Sequence, residues 1–388
     1  MSLESLKQIL SNKKYFAPAW VFASINFIMG TWVLYLPHIK IKFLLNDEQI
    51  GEALFFLALG LLISIPVIPI INKKIGVGRS TILGIIFFAF SFNLPLIVSS
   101  YFFLCASLFI VGLFSGFTDV SMNAVIAALE KKDSKNLMSS AHGFFSLGGF
   151  LGAGIGSFLL GILLSPKLHM LLITFFILMT NIFFSKYYIH IKSEKQPKLE
   201  NKNQFHFIPK LIGLSLVAFI IMCNEGAVEH WSNIFFYDIV EVSEIISGFG
   251  FIAFSFFMTL GRFLGDGFSK KIGGDKLILT GVGIAIVGFI LVISTLFYLS
   301  VLGFGILGFG LSVIIPELFR MASKTKGVPP TVGISVVTGV GYVGFLLGPI
   351  IIGYVSNWSN LLTSFIFLSF TLGVAFIIVL LSLKNQLL

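Results

Sequence analysis

A chain of 388 residues that is 56% hydrophobic and only 11% charged, with a mean hydropathy of +1.00, is too apolar for a water-soluble domain, in which about a quarter of residues carry charge. The formal charge of +9 does not indicate a nucleic-acid partner, because Lys and Arg lie between apolar runs and not along one face. A membrane crossing takes ~20 mainly apolar residues, and such runs recur along the whole chain, leaving no room for a large soluble domain.

In chain order the predicted spans are Phe16–Leu36, Ile50–Ile71, Ser80–Ser99, Tyr101–Ala128, Leu137–Leu164 and Leu168–Ile189, then Ile208–Tyr237, Ile245–Phe268, Leu277–Leu296, Tyr298–Ala322, Thr331–Val355 and Leu361–Leu383. The first continues past the length of a signal core and lacks a small-residue cleavage site, so it is expected to remain as a helix. Ser80 to Ala128 and Leu277 to Ala322 are each too long for one crossing, and both are read as hairpins from length alone. Between the halves, Lys192, Glu194, Lys195, Pro197, Lys198, Glu200 and Lys202 make a stretch too polar for hydrocarbon. The expected organisation is an N-terminal six-helix bundle (1–189), a cytoplasmic central loop (190–207) and a C-terminal six-helix bundle (208–388).

Short loops rich in Lys and Arg stay on the cytoplasmic side. Lys13, Lys14, Lys73, Lys74, Arg79, Lys131, Lys132, Lys135, the central-loop lysines, Lys270, Lys271, Lys276, Lys324 and Lys326 share one face, while Lys40, Lys42 and Lys167 oppose them beside Asp238, Glu241 and Glu244. Both termini are therefore expected in the cytoplasm, and an even helix count agrees with their sharing one side. Cys105 and Cys223 sit inside apolar stretches without metal-ligand spacing, so no disulfide framework is expected.

An internal repeat runs through the chain. Asn72-Lys-Lys-Ile-Gly76 answers Ser269-Lys-Lys-Ile-Gly273 at an offset of 197, as Gly51 answers Gly248. Trp32 and Trp231 differ by 199, Asp119 and Glu317 by 198, and Gly152 and Gly348 by 196. Equivalent loops carry the same charge, so the halves are expected to share orientation about a pseudo-two-fold axis along the membrane normal.

Four segments carry a family resemblance: Gly116-Phe-Thr-Asp-Val-Ser-Met-Asn123, Met138-Ser-Ser-Ala-His-Gly-Phe-Phe-Ser-Leu-Gly-Gly149, Glu225-Gly-Ala-Val-Glu-His-Trp-Ser232 and Gly261-Arg-Phe-Leu-Gly-Asp266. Together they resemble the major facilitator superfamily over nearly the whole chain, and most closely its YbjJ-like inner-membrane transporter branch. Parallel halves are the general description of that superfamily, so the axis is carried over from it and not independently derived. The resemblance implies an all-α fold of twelve transmembrane helices, a monomer, and a gate latch in the loop after the second helix of each half. There the first half departs, since Pro69-Ile-Ile-Asn-Lys73-Lys-Ile-Gly76-Val-Gly-Arg79 lacks the superfamily's Asp. The second half keeps Asp266 near Arg262. Lys73, Lys74, Arg79, Arg262, Asp266, Lys270 and Lys271 are the candidate gating residues.

An ionisable group in hydrocarbon costs several kcal/mol unless paired or hydrated, so buried acids are candidates for solute or proton handling. Asp119 and Asn123 are one turn apart on helix four, and Glu225, Glu229 and Asn233 repeat at i, i+4, i+8 on helix seven. Glu317, read as the repeat-mate of Asp119, has Arg320 three residues on, and such a couple serves either as a structural or gating ion pair or in solute contact. His142 titrates near neutral pH and is read as a proton relay or an interhelical hydrogen bond, while His230 is expected at the interface. Trp32 and Trp231, taken as equivalent, with Asn26, Asn224 and Tyr342, are candidate solute contacts. Their competing role is helix anchoring and packing. Gly148–Gly156 and Gly339–Gly353 read as packing seams.

No phosphate cradle, metal-binding His pair or nucleophile motif is present, so neither ATP-driven pumping, catalysis, a cofactor nor a metal is predicted. The expected function is secondary active transport of a small polar solute, such as a sugar or sugar derivative, across the cytoplasmic membrane by alternating access. Proton coupling is the preferred drive, and Na+ stays open because carboxylates with Asn oxygens also hold a hard cation. The alternatives are efflux of amphipathic or cationic compounds, with Glu225 and Glu229 as the cation-binding face, and a non-transporting receptor or scaffold of this fold.

Overall fold

The computed structural model describes residues 4–135, 137–160, 162, 165–192 and 208–385. The polar stretch expected as the central loop lies outside them from Ser193 to Phe207. With no water in the bilayer core, each crossing must satisfy its backbone internally, and a helix does so within one segment. Twelve helices long and apolar enough to span result, and among the described residues there is no strand.

We label them α1 (Lys13–Val33), α2 (Asp47–Ile75), α3 (Val77–Ser91, continued by Leu94–Ile97), α4 (Tyr101–Asp133), α5 (Met138–Leu160) and α6 (Pro166–Ser185). The second set is α7 (Ile208–Asp238), α8 (Phe249–Ile272), α9 (Gly274–Ile293), α10 (Phe297–Ser312 and Ile314–Ala322), α11 (Pro330–Trp358) and α12 (Leu361–Asn385). Both hairpins inferred from length are present: Ser100 caps α4 through the Phe103 amide, and Thr295 turns into α10 at φ 59°. The break in α10 has a local cause, since Pro316 offers no N–H to the Ser312 carbonyl one turn earlier.

The Lys-Lys-Ile-Gly repeats form the same turn twice. Gly76 and Gly273 end α2 and α8 at φ 92° and 83°, and their amides donate to the carbonyls of Asn72 and Ser269, both at 3.0 Å. Only glycine takes that backbone conformation without strain. The two exceptions to the one-sided charge in the α1–α2 connection have structural employment. Lys40 pairs with Asp47 at 2.6 Å, and Lys42 donates to the carbonyls of Leu96 (3.1 Å) and Val98 (2.8 Å), closing the end of α3. Burial and the nearby Lys167 charge hold the Lys42 ammonium below the usual lysine range.

Within the first bundle α1 packs on α5 and α6, α2 on α4, and α3 on α4 and α6; within the second, α7 packs on α11 and α12, and α9 on α10 and α12. Glycines let backbones touch. A Cβ at Gly148 or Gly152 would strike the carbonyl oxygen of Ala23 or Phe27, and one at Gly30 would lie 2.5 Å from that of Gly149. In the second bundle Gly344, Gly348 and Gly226 meet the carbonyls of Phe219, Cys223 and Phe345. Every residue of that second seam exceeds its counterpart by 196. The α2–α4 contact of Ser64 with Gly116 recurs as Gly261 with Ser312, the small residue and the hydroxyl having changed sides.

This register corrects two equivalences. At the offset of 196 that α4 and α10 share, Asp119 answers Ile315, and Glu317 answers Ser121. Trp231 answers Tyr35, and Trp32 answers Val228. Matching single residues missed a shift of two or three positions, which on a helix turns a side chain to another face.

By contacts the chain divides into two units, Leu3–Lys195 with Val242–Ile252, and Gln196–Glu241 with Ala253–Leu388, as far as these residues are described. Val242–Ile252, expected in the second bundle, thus groups with the first. Gly248 there lies against Leu34 and Ser157, and Glu244 Oε1 is 3.7 Å from His38 Nδ1.

Candidate functional site

In the first unit the acid is on α4. Asp119 and Asn123 are both half-buried, and Asn123 Nδ2 donates to the Asp119 carbonyl at 2.9 Å and to its carboxylate at 3.2 Å. The i, i+4 spacing produces this contact locally, and it keeps a carboxylate solvated inside an apolar span. His142 on α5 is half-buried and stands edge-on to Phe22, ring centroids 5.2 Å apart. Asn26 is buried, and its Nδ2 donates to the Phe145 carbonyl across the α1–α5 seam at 3.0 Å.

The second unit holds a denser charge cluster. Glu225 and Glu229 lie one turn apart near the middle of α7, and Arg262 of α8 donates from Nη2 to Glu225 Oε1 at 2.8 Å. The Arg262 and Glu225 side chains are 17% and 14% exposed. Glu229 is 7% exposed, and no hydrogen bond or ion pair reaches it among the described residues. Arg262, a gating candidate near Asp266, lies mid-helix in α8 and bonds Glu225 of α7. The side chains of Asp266 and Lys270 lie outside the described ones.

Glu317 and Arg320 form their own pair at 2.9 Å, and Arg320 also reaches Ser269 Oγ at 2.6 Å. The corresponding place in the first unit holds a neutral bond, Ser121 Oγ to Asn72 Oδ1 at 2.9 Å. Both involve a residue at the Lys-Lys-Ile-Gly turns, Asn72 in one unit and Ser269 in the other. Of the other gating candidates, Lys73, Lys74, Arg79 and Lys271 are exposed at those turns.

Of the aromatic and amide candidates for solute contact, all but Tyr342 are buried. Trp32 and Trp231 are both fully buried. Trp231 Nε1 donates to the Pro349 carbonyl at 2.9 Å, a backbone oxygen next to the α7–α11 glycines. Asn224, fully buried, donates to the Ile220 carbonyl and to Thr371 Oγ1 of α12 at 2.8 and 3.0 Å. Asn233 is fully buried and Tyr342 half-buried. His230, expected at the interface, is buried, and its Nδ1 is 2.9 Å from the Gly226 carbonyl.

A polar line on α6 escaped sequence reading. His169 bonds Tyr35, Thr174 receives Asn93 at 2.8 Å, and Asn181 donates to Ser24 at 2.8 Å. The signal was present, since His and Asn inside a run of Leu, Ile and Phe need partners. Among the described residues no group of three or more His, Cys, Asp or Glu is arranged to hold a metal.

Two helical units with one packing scheme, each with acids inside a span, define a polytopic membrane protein of duplicated design. The chain belongs to the Major Facilitator Superfamily, whose model matches residues 19–328. It is 27% identical over 340 residues to an uncharacterized MFS-type transporter of Yersinia pestis, covering 87% of each chain. It is also 27% identical over 348 residues to the membrane protein MosC of Rhizobium meliloti, covering 88% of this chain and 83% of that one. Among solved structures it resembles the nucleoside transporter NupG (TM-score 0.76, 14% identity, 96% and 99% covered). It likewise resembles a bacterial homologue of the lysosomal transporter Spinster (TM-score 0.69, 14% identity, 96% and 97% covered). The protein is an MFS transporter of the secondary type.

Proposed function

We propose that this transporter carries a small polar solute of sugar or nucleoside-like chemistry across the cytoplasmic membrane by alternating access, driven by the proton gradient. The observation that carries the reading is the set of carboxylates kept in apolar helices, Asp119 beside Asn123 in one unit and Glu225 and Glu229 beside Arg262 in the other. Acids in hydrocarbon are expensive, so carboxylates kept there are by default candidates for ion or solute handling. A buried carboxyl also exchanges a proton more readily near neutral pH than an exposed one, which suits proton coupling. The resemblance to NupG supports the solute class. One-sided Lys and Arg support a membrane orientation with both termini in the cytoplasm, and the protein acts as a monomer.

Ligand-induced thermal stabilisation over sugars, amino sugars, nucleosides and organic cations at two pH values identifies the solute, because a ligand bound only to the folded state raises apparent stability. Flux in proteoliposomes then tests the drive. Asp119→Asn is expected to fold and to lose uphill accumulation; unchanged accumulation removes Asp119 from coupling. Replacing Na+ by choline at fixed pH is expected to leave uptake intact, and its loss transfers the drive to Na+. Glu229 supports a second reading, export of cationic compounds, because a buried acid with no ion pair among the described residues suits a cation. Stabilisation by lipophilic cations alone decides for that reading.

A further inference from the structure

We infer that Glu229 is the carboxyl through which the second unit takes up and releases a coupling proton, while Glu225 and Arg262 are a standing ion pair that sets its surroundings. The inference rests on the proton-coupled reading above and assigns the coupling step within the second unit.

The argument is one of charge. Arg262 donates to Glu225 at 2.8 Å, and that pair is neutral as a unit. Glu229, one turn further along α7 and nearly covered, then adds an uncompensated negative charge whenever it is ionised. One guanidinium does not neutralise two carboxylates, and like charges at i, i+4 oppose each other. Protonation of Glu229 removes the excess charge and leaves the ion pair intact, whereas protonation of Glu225 would break that pair.

Among the described residues no other ionisable group is bonded to Glu229. His230, next in sequence, is turned to the Gly226 carbonyl. On α11, Pro330–Trp358 contains no Asp, Glu, Lys, Arg or His, only Tyr342 and Tyr354, and α12 has Lys384 alone, at its end. On α10 the charges are Glu317 and Arg320, bonded to each other. On α8, Arg262 bonds Glu225, Lys271 is exposed at the helix end, and the side chains of Asp266 and Lys270 lie outside the described ones. In each cycle one proton from water on one side converts the Glu229 carboxylate to a carboxylic acid. The same proton leaves to water on the other side, with no change at Glu225 or Arg262.

The test uses the full chain in proteoliposomes containing a pH-sensitive dye, with uridine, glucose and glucosamine as probe solutes, alongside infrared difference spectra between two pH values. Glu229→Gln is expected to retain solute exchange, to lose solute-linked proton movement, and to lose the pH-dependent carboxylic-acid band. Glu225→Gln/Arg262→Gln, which leaves net charge unchanged, is expected to retain that band and the linkage of proton to solute, with slower flux. Proton movement or the band surviving Glu229→Gln overturns the inference alone. So does loss of either in the double variant, which decides the matter even where Glu229→Gln does not fold. Loss of glucosamine exchange only, in Glu229→Gln, overturns it in favour of a cation subsite. Wild-type solute exchange without proton movement overturns the proton-coupled reading itself and the inference with it. The infrared arm requires no solute, so an inactive probe set still leaves a decision.

Discussion

Substituting the seam glycines gives opposite signs at positions two residues apart. A Cβ at Gly152 would strike the Phe27 carbonyl, a backbone atom that no rotamer change can withdraw, so α1 and α5 must separate. Gly154, on the same helix, has nothing within 4 Å of the place its Cβ would take. Gly152→Ala is therefore expected to destabilise the protein by about 1–3 kcal/mol, the usual range for an inserted methyl in a packed site. Gly154→Ala adds no clash and gains helix propensity, which stabilises by up to about 1 kcal/mol. The second unit supplies the same comparison, with Gly348 against the Cys223 carbonyl and Gly339 in open space. Thermal and SDS denaturation of the purified variants measures all four. The seams share no partner residue, so Gly152→Ala and Gly348→Ala should add to within about 0.5 kcal/mol. If Gly154→Ala costs as much as Gly152→Ala, close backbone approach is not what these glycines provide and the reasoning fails.

Three further outcomes are expected. Ser121→Ala removes the buried bond to Asn72 and should cost about 1 kcal/mol by the same denaturation assay, with Asn72→Ala no milder. Arg320→Ala leaves the buried Glu317 carboxylate without its 2.9 Å partner and should cost about 1–3 kcal/mol. Adding Glu317→Gln should restore part of that loss, and no recovery would mean that the pair does not balance charge. Cys105 and Cys223 are free and buried, so maleimide should label them slowly until denaturation, and reductant should not alter gel mobility.

Much of this architecture follows from short-range facts. A bilayer makes each span satisfy its own backbone hydrogen bonds, so span number and approximate position are properties of about twenty consecutive residues. All twelve predicted spans match helices, including the two hairpins drawn from length alone. The paired turns were legible for the same reason: Gly76 and Gly273 answer a local need for positive φ. The Asp119–Asn123 contact follows from spacing on one helix.

What the tertiary structure decided is everything that depends on which helix faces which. The first and seventh helices and their partners repeat at 196, while Gly76 and Gly273 repeat at 197, so offsets read from isolated residues misplaced the mates of Asp119 and Trp32. Arg262 took Glu225 as its partner because α7 and α8 approach there, and no spacing along one chain segment encodes that. Trp32, Trp231 and Asn224 were polar or aromatic enough for a solute, yet helix packing buried them. Composition and periodicity alone determined that the chain is a membrane bundle and where it crosses, because lipid acts on each segment separately. The choice among its acids, one in an ion pair and one without, came only from packing, because a charge is neutralised by whatever lies within a few ångströms and not by its neighbours in sequence.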